Sequence, residues 1–336
     1  MSTELMAAGA RVTDAALSVG YAAPSAFLVA FRRAMGTSPV VLTRAWDRRV
    51  CLDASGKGGL GFRVMSLVTK GREPRRQLVL RPQLGSKQIV TATHSSSVTV
   101  ETAGRSHPAP PVPATRMTFI IQVQSLSLEG DARYDFTLDA VDLLVQPGTA
   151  ERHVDEVRQS LAFLPGLTGK GTAGRHGNTL ELNLPPQLSP ERRKELLGIA
   201  KALQFVGNPF PQEAIGLGAR WEQPLYGSGP VAAHGTASFE LTSMDGVRVG
   251  TRFLIQQTSK SQPVPPEYQT RPDASEQMTV RSQTQGETFF RLDRLWPAST
   301  QMEMRVQADL SAEKEDPPRR LRIITDVKIR LEEKTV

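Results

Sequence analysis

Alternation of apolar and polar residues with a period of two recurs from residue 88 to residue 331, and it commits most of the chain to β-strands. Residues 88–93 and 97–102 are rich in β-branched side chains and alternate as half-buried strands do. Residues 117–128 turn back at Glu129-Gly130-Asp131 into 134–138 and 141–145, which predicts a long hairpin. A second hairpin is predicted from 237–241 through the turn Met244-Asp245-Gly246 into 247–256. Further strands are predicted over 278–283, 288–292, 302–310 and 321–331. Two helices interrupt this pattern. One covers about 150–163, and the other starts at Ser189-Pro190-Glu191, a Ser cap with Pro in the first turn, and runs to Phe205. The expected class is α+β: a large antiparallel β-sheet domain, as a curved sheet or incomplete barrel with two helices, behind a small N-terminal helical segment.

That N-terminal segment, residues 11–46, reads as three short helices. Thr13 and Asp14 suit a helix start, and Val12, Ala15, Ala16 and Val19 form an apolar stripe. Gly20 supplies the turn that ends it. Pro24 or Ser25 opens a second helix in which Phe27 and Phe31 share one face, and Gly36 closes it. Ser38-Pro39 then matches the N-cap and first position of a third.

Helix, glycine turn and a helix ending in paired arginines make a helix-turn-helix pattern. The run from Val12 to Tyr21, with Ser25, Phe27, Phe31-Arg32-Arg33 and Gly36-Thr37-Ser38-Pro39, resembles the AraC/XylS family of transcription regulators over about residues 5–46. In that family the block is the second of two helix-turn-helices. The resemblance implies duplex DNA as partner, with Ser25, Leu28, Val29, Arg32, Arg33 and Thr37 as the DNA-facing residues. Arg32 and Arg33 would contact phosphates. Leu28 and Val29 stand where the family usually has polar or basic residues. Aliphatic side chains can touch thymine methyl groups but cannot make bidentate bonds to bases, so binding by this segment alone would be weak and poorly specific.

The net charge of +7 is concentrated. Eleven basic residues between Arg44 and Lys87 face only Asp47, Asp53 and Glu73, so this stretch carries +8 and the remainder is close to neutral. It would either add sequence-independent attraction to phosphates or serve as a solvated linker. The domain reading is 1–48 for the helix-turn-helix, 49–75 for a basic Gly-rich linker and 76–336 for the β-rich domain. No apolar run is long enough for a transmembrane helix, and residue 1 is not followed by a signal-peptide pattern, which reads as cytoplasmic. The β-rich part, marked by Gly216-Leu217-Gly218-Ala219-Arg220-Trp221, resembles uncharacterised β-rich bacterial lipoproteins, which would place it in the cell envelope instead.

Motifs for chemistry are weak. Gly56 to Gly61 and Gly169 to Gly174 both satisfy G-x-G-x-x-G, but neither joins a strand to a helix as dinucleotide binding requires. The five histidines have no metal-ligand spacing, and Cys51 is the only cysteine. Glu151, Asp155 and Glu156 alternate with Arg152 and Arg158 as on an exposed ion-paired helix face. No catalytic, metal or cofactor site is expected, and the protein is read as non-enzymatic. Two functions remain open. One is a regulator whose β domain binds a ligand or mediates assembly, aided by homodimerisation. The other is a carrier holding an apolar ligand, with the N-terminal segment a fusion relic.

Overall fold

A computed structural model of the chain describes residues 65–102, 104–183, 209–226, 233–264, 276–312 and 319–334. The helix-turn-helix residues, Gly56 to Gly61 and the helix expected from Ser189 to Phe205 lie outside them.

Fourteen strands form one antiparallel sheet. In chain order they begin with β1 (Ser66–Thr69), β2 (Lys87–Thr102), β3 (Arg105–Pro108), β4 (Ala114–Leu126) and β5 (Ala132–Leu144). Helix α1 (Glu151–Leu161) follows, then β6 (Leu167–Ala173), β7 (Thr179–Asn183) and β8 (Arg220–Tyr226). The chain continues with β9 (Ala233–Asp245), β10 (Arg248–Ser259), β11 (Gln262–Pro263), β12 (Gln277–Arg291), β13 (Ser299–Ala312) and β14 (Arg319–Glu333). The order across the sheet is β1-β8-β9-β10-β12-β13-β14-β2-β4-β5-β6-β7, with β11 beside β12 and β3 beside β2. Both expected hairpins are present, as β4–β5 and β9–β10. α1 is the one helix among the described residues, and its exposed face carries the Arg152–Glu156 pair at 3.1 Å and the Arg158–Asp155 pair.

Where two short strands are expected at 88–102, and again at 278–292, the chain forms one long strand each time, β2 and β12. The intervening His94-Ser95-Ser96 and Thr284-Gln285-Gly286-Glu287 keep their ladder partners throughout. β1 falls within the stretch read as linker and pairs with β8.

The sheet is not closed by strand pairing, yet it is rolled. β8 and β6 are nine steps apart in the strand order, which in a flat sheet would be about 40 Å at the usual strand spacing. Instead Trp221 on β8 donates its indole N–H to the carbonyl of Pro209 at 2.9 Å. The next residue, Phe210, donates its backbone N–H to His176, in the β6–β7 turn, at 2.8 Å. The two flanks therefore come within a few residues of each other. The coil between β1 and β2 runs across the same end of the roll. Leu80 N–H bonds the carbonyl of Arg175, Arg81 N–H bonds that of Leu292, and the Leu78 carbonyl meets His176 Nδ1 at 3.3 Å.

Close backbone approach explains the glycines of Gly216-Leu217-Gly218. A Cβ at Gly216 would overlap the carbonyl of Arg72, and Gly218 has φ +79°. Part of the basic stretch is also spent here: Arg75 donates to the Gly71 carbonyl at 2.8 and 3.0 Å, and Arg76 donates to that of Gly246.

The two faces of the sheet differ sharply. The outward positions of β13 and β14 hold charged cross-strand pairs, including Arg322–Asp309 at 2.6 Å, Lys328–Glu303 at 2.9 Å and Arg305–Asp326 at 3.3 Å. Burial raises the Asp309 carboxyl, but hydrogen bonds from Arg322 and Gln307 outweigh it and hold the group below its ordinary value. Apolar residues alternate onto the inner face. A transmembrane barrel has the reverse arrangement, apolar outside, so this outer surface is built for contact with water. No helix among the described residues is long and apolar enough to cross a membrane.

Candidate functional site

Among the described residues, the buried apolar side chains fall into three clusters rather than one. The first lies at the coil-crossed end of the roll around Trp221, Phe239, Phe253 and Phe290, beneath Leu78, Leu80, Phe210 and Ile215. Trp221 and Phe239 stack with centroids 5.6 Å apart, and Phe210 meets Phe290 edge-on at 5.0 Å. The second joins β2, β4, β5 and β6 with Leu295 and Trp296 of the β12–β13 loop. Gln88 fixes that loop, donating to the Trp296 carbonyl at 2.9 Å and accepting from its N–H at 3.0 Å. Burial among these groups pushes the Tyr134 phenol up to about 12, against a smaller opposing effect of its hydrogen bond to Trp296. The third cluster lies toward the other end of the strands, around Val98, Val280, Val306 and Ile323.

Between the first and third clusters the inner face changes character. Strand register sets Ile255, Thr284, Met304, Val327 and Ser96 in one row across β10, β12, β13, β14 and β2. The row above runs Gln257, Ser282, Val306, Thr325 and Val98, and the row below ends in His94, which pairs with Thr115 on β4. Alternation points all of these inward. Small polar side chains thus occupy mid-strand positions where each end of the roll carries aromatic or branched residues. Gly235 and Gly286 open no room here, because neighbours fill the place of a side chain: Gln256 and Gln257 at the first, Phe253 and Met302 at the second.

The inner face is also incompletely covered at this level. Ser96, Gln257 and Met304 face inward at the middle of long strands but are only half-buried. Met304 packs against both the first and the third cluster, so it marks the boundary between them. A second polar row, Thr251, Thr288 and Thr300, behaves differently. It is fully buried and bonded within itself, Thr300 Oγ1 donating to Thr288 Oγ1 at 3.3 Å and Thr251 Oγ1 to the Thr288 carbonyl at 3.4 Å. The Thr325 hydroxyl, 1% exposed, finds no hydrogen-bond partner among the described residues. A buried hydroxyl without a partner is costly, and a water or a ligand oxygen would satisfy it.

Expected site residues Ser25, Leu28, Val29, Arg32, Arg33 and Thr37 lie outside the described residues. The G-x-G-x-x-G run at Gly169 has a packing explanation instead of a phosphate-binding one. Gly169 and Gly171 lie on β6 opposite Phe136 and Tyr134, and a Cβ at either position would overlap the facing aromatic ring. Among the described residues no three His, Cys, Asp or Glu side chains gather as a metal site needs.

The inner-face row itself was missed by sequence reading. Its one visible signal is polarity at positions 96, 282 and 284, where period-two alternation predicts apolar residues. No protein-family model matches the chain, and no curated protein matches it either.

Proposed function

We propose that the rolled sheet is a non-catalytic binding module that holds a largely apolar ligand against the middle of its inner face. The observation that carries this reading is the half-buried inward set of Ser96, Met304 and, one row above, Gln257, set between two apolar clusters. Concave, mostly apolar surfaces with a few convergent polar groups are the usual form of a small-molecule site. The test is titration of the full chain with a neutral apolar fluorescent reporter, N-phenyl-1-naphthylamine. Saturable enhancement at about one reporter per chain is expected of a single site. Enhancement that rises without saturating would refute it.

A second reading joins to the first without depending on it. The run from Val12 to Pro39 favours a ligand-responsive regulator in which residues 11–46 bind duplex DNA. Replacing Arg32 and Arg33 by Ala would then lower the slope of log affinity against log salt by about 2, one for each lost phosphate contact. An unchanged slope would remove both arginines from the interface.

A further inference from the structure

We infer that the ligand is a neutral amphiphile: a hydrocarbon body carrying one uncharged hydrogen-bonding group, an alcohol or ester, seated at the Thr325 hydroxyl. This rests on the binding reading above and adds the chemical class. Three observations support it. First, none of the inward residues in the three mid-strand rows is Asp, Glu, Lys or Arg. A carboxylate or ammonium group brought there would lose its water with no Asp, Glu, Lys or Arg to pair with and only the His94 ring, in the lower row, as an ionisable neighbour, whereas an alcohol or ester gives up much less.

Second, most of the polar groups present, Thr325, Ser96, Ser282 and Thr284, are hydroxyls, each able to donate or accept, with the Gln257 amide and the His94 ring beside them. They suit an alcohol or ester, which needs one or two such bonds. Thr325 is nine-tenths buried and more, and lacks a partner among the described residues; a ligand oxygen would supply one. Third, apolar surface lies on both sides of the row, the aromatic cluster toward Phe253 and the aliphatic cluster toward Val306. A polar group between two apolar surfaces matches a molecule with hydrocarbon on either side of a central oxygen, or one chain running to either end.

The experiment displaces the bound fluorescent reporter from the full chain with a long-chain alcohol, its fatty ester and the carboxylate of the same chain length, at a pH where the carboxylate is ionised. Alcohol and ester are expected to displace it at about tenfold lower concentration than the carboxylate. Thr325→Val, which keeps shape and removes the hydroxyl, is expected to weaken the alcohol by about fivefold, the worth of one hydrogen bond, once the reporter's own affinity for the variant has been measured and divided out. Equal or stronger displacement by the carboxylate overturns the inference while leaving the binding reading intact. An alcohol indifferent to Thr325→Val overturns the seat at that hydroxyl. A wild-type chain that does not bind the reporter defeats both.

Discussion

Trp221 is where the roll can be undone by one substitution. The side chain is fully buried, stacks on Phe239, and bonds the carbonyl of Pro209, the residue before the Phe210–His176 link to the opposite flank. Trp→Ala in a core costs about 3–5 kcal/mol, a range that already includes the lost stacking and the cavity. Leaving the Pro209 carbonyl unpaired adds about 1 kcal/mol. Against a usual domain stability of about 5–15 kcal/mol this is a large fraction. For a domain of this size it corresponds to a fall of about 10 °C in melting temperature. Trp221→Phe separates the contributions: it keeps a ring on Phe239, and its loss should be about 1–2 kcal/mol. The assay is urea unfolding followed by circular dichroism, with Arg305→Ala on the outer face as control. If Trp221→Ala moves the midpoint no more than Arg305→Ala does, the tryptophan does not hold the flanks and the account of the roll fails.

Three further outcomes are expected. Gly171→Ala should destabilise by about 1–3 kcal/mol through overlap with the Tyr134 ring, and the loss should be less than additive with Tyr134→Leu in a double-mutant cycle. Strict additivity would show that the ring is not what excludes the methyl group. The Tyr134 phenol, held at about 12, stays neutral in the fold after an unfolded tyrosine has ionised near 10. Its contribution is therefore complete below about pH 10 and lost as pH rises through 12, and Tyr134→Phe should be less sensitive to alkali in that window. Burial lowers His176 below 6.5, so the unfolded chain takes up the proton first. Stability is then full above pH 6.5 and falls as the solution is acidified below it, a loss that His176→Gln should reduce in urea midpoints measured across that range.

The hairpins and α1 could be read from sequence because their signals are local: turn residues such as Glu129-Gly130-Asp131 and ion pairs one helical turn apart. What was not legible depends on distant partners. His94-Ser95-Ser96 and Thr284-Gln285-Gly286-Glu287 read as breaks, because polar residues interrupt the alternation that defines a strand. They are interruptions in the inner surface instead, and register places Ser96 and Thr284 in the same row. The feature that misleads strand prediction is thus the feature that makes the candidate site. The coil crossing at Leu78 and Leu80 carries no periodic signal either, since its bonds run to Arg175, His176 and Leu292. Sequence context is enough to set aside the G-x-G-x-x-G match at Gly169 and Gly171, but the reason for the glycines is visible only with Phe136 and Tyr134 opposite them.

The most direct test of the binding account is Ser96→Leu, read for stability and for reporter affinity together. In a filled core this enlargement costs about 1–3 kcal/mol. On an inner face that leaves Ser96 only half-buried it should leave stability within about 0.5 kcal/mol of wild type. It should also weaken N-phenyl-1-naphthylamine binding about tenfold or more, while Gln301→Leu on the outer face leaves binding unchanged. A Ser96→Leu chain that is strongly destabilised, or one that binds the reporter as tightly as wild type, would contradict the claim that this inner face is a ligand site.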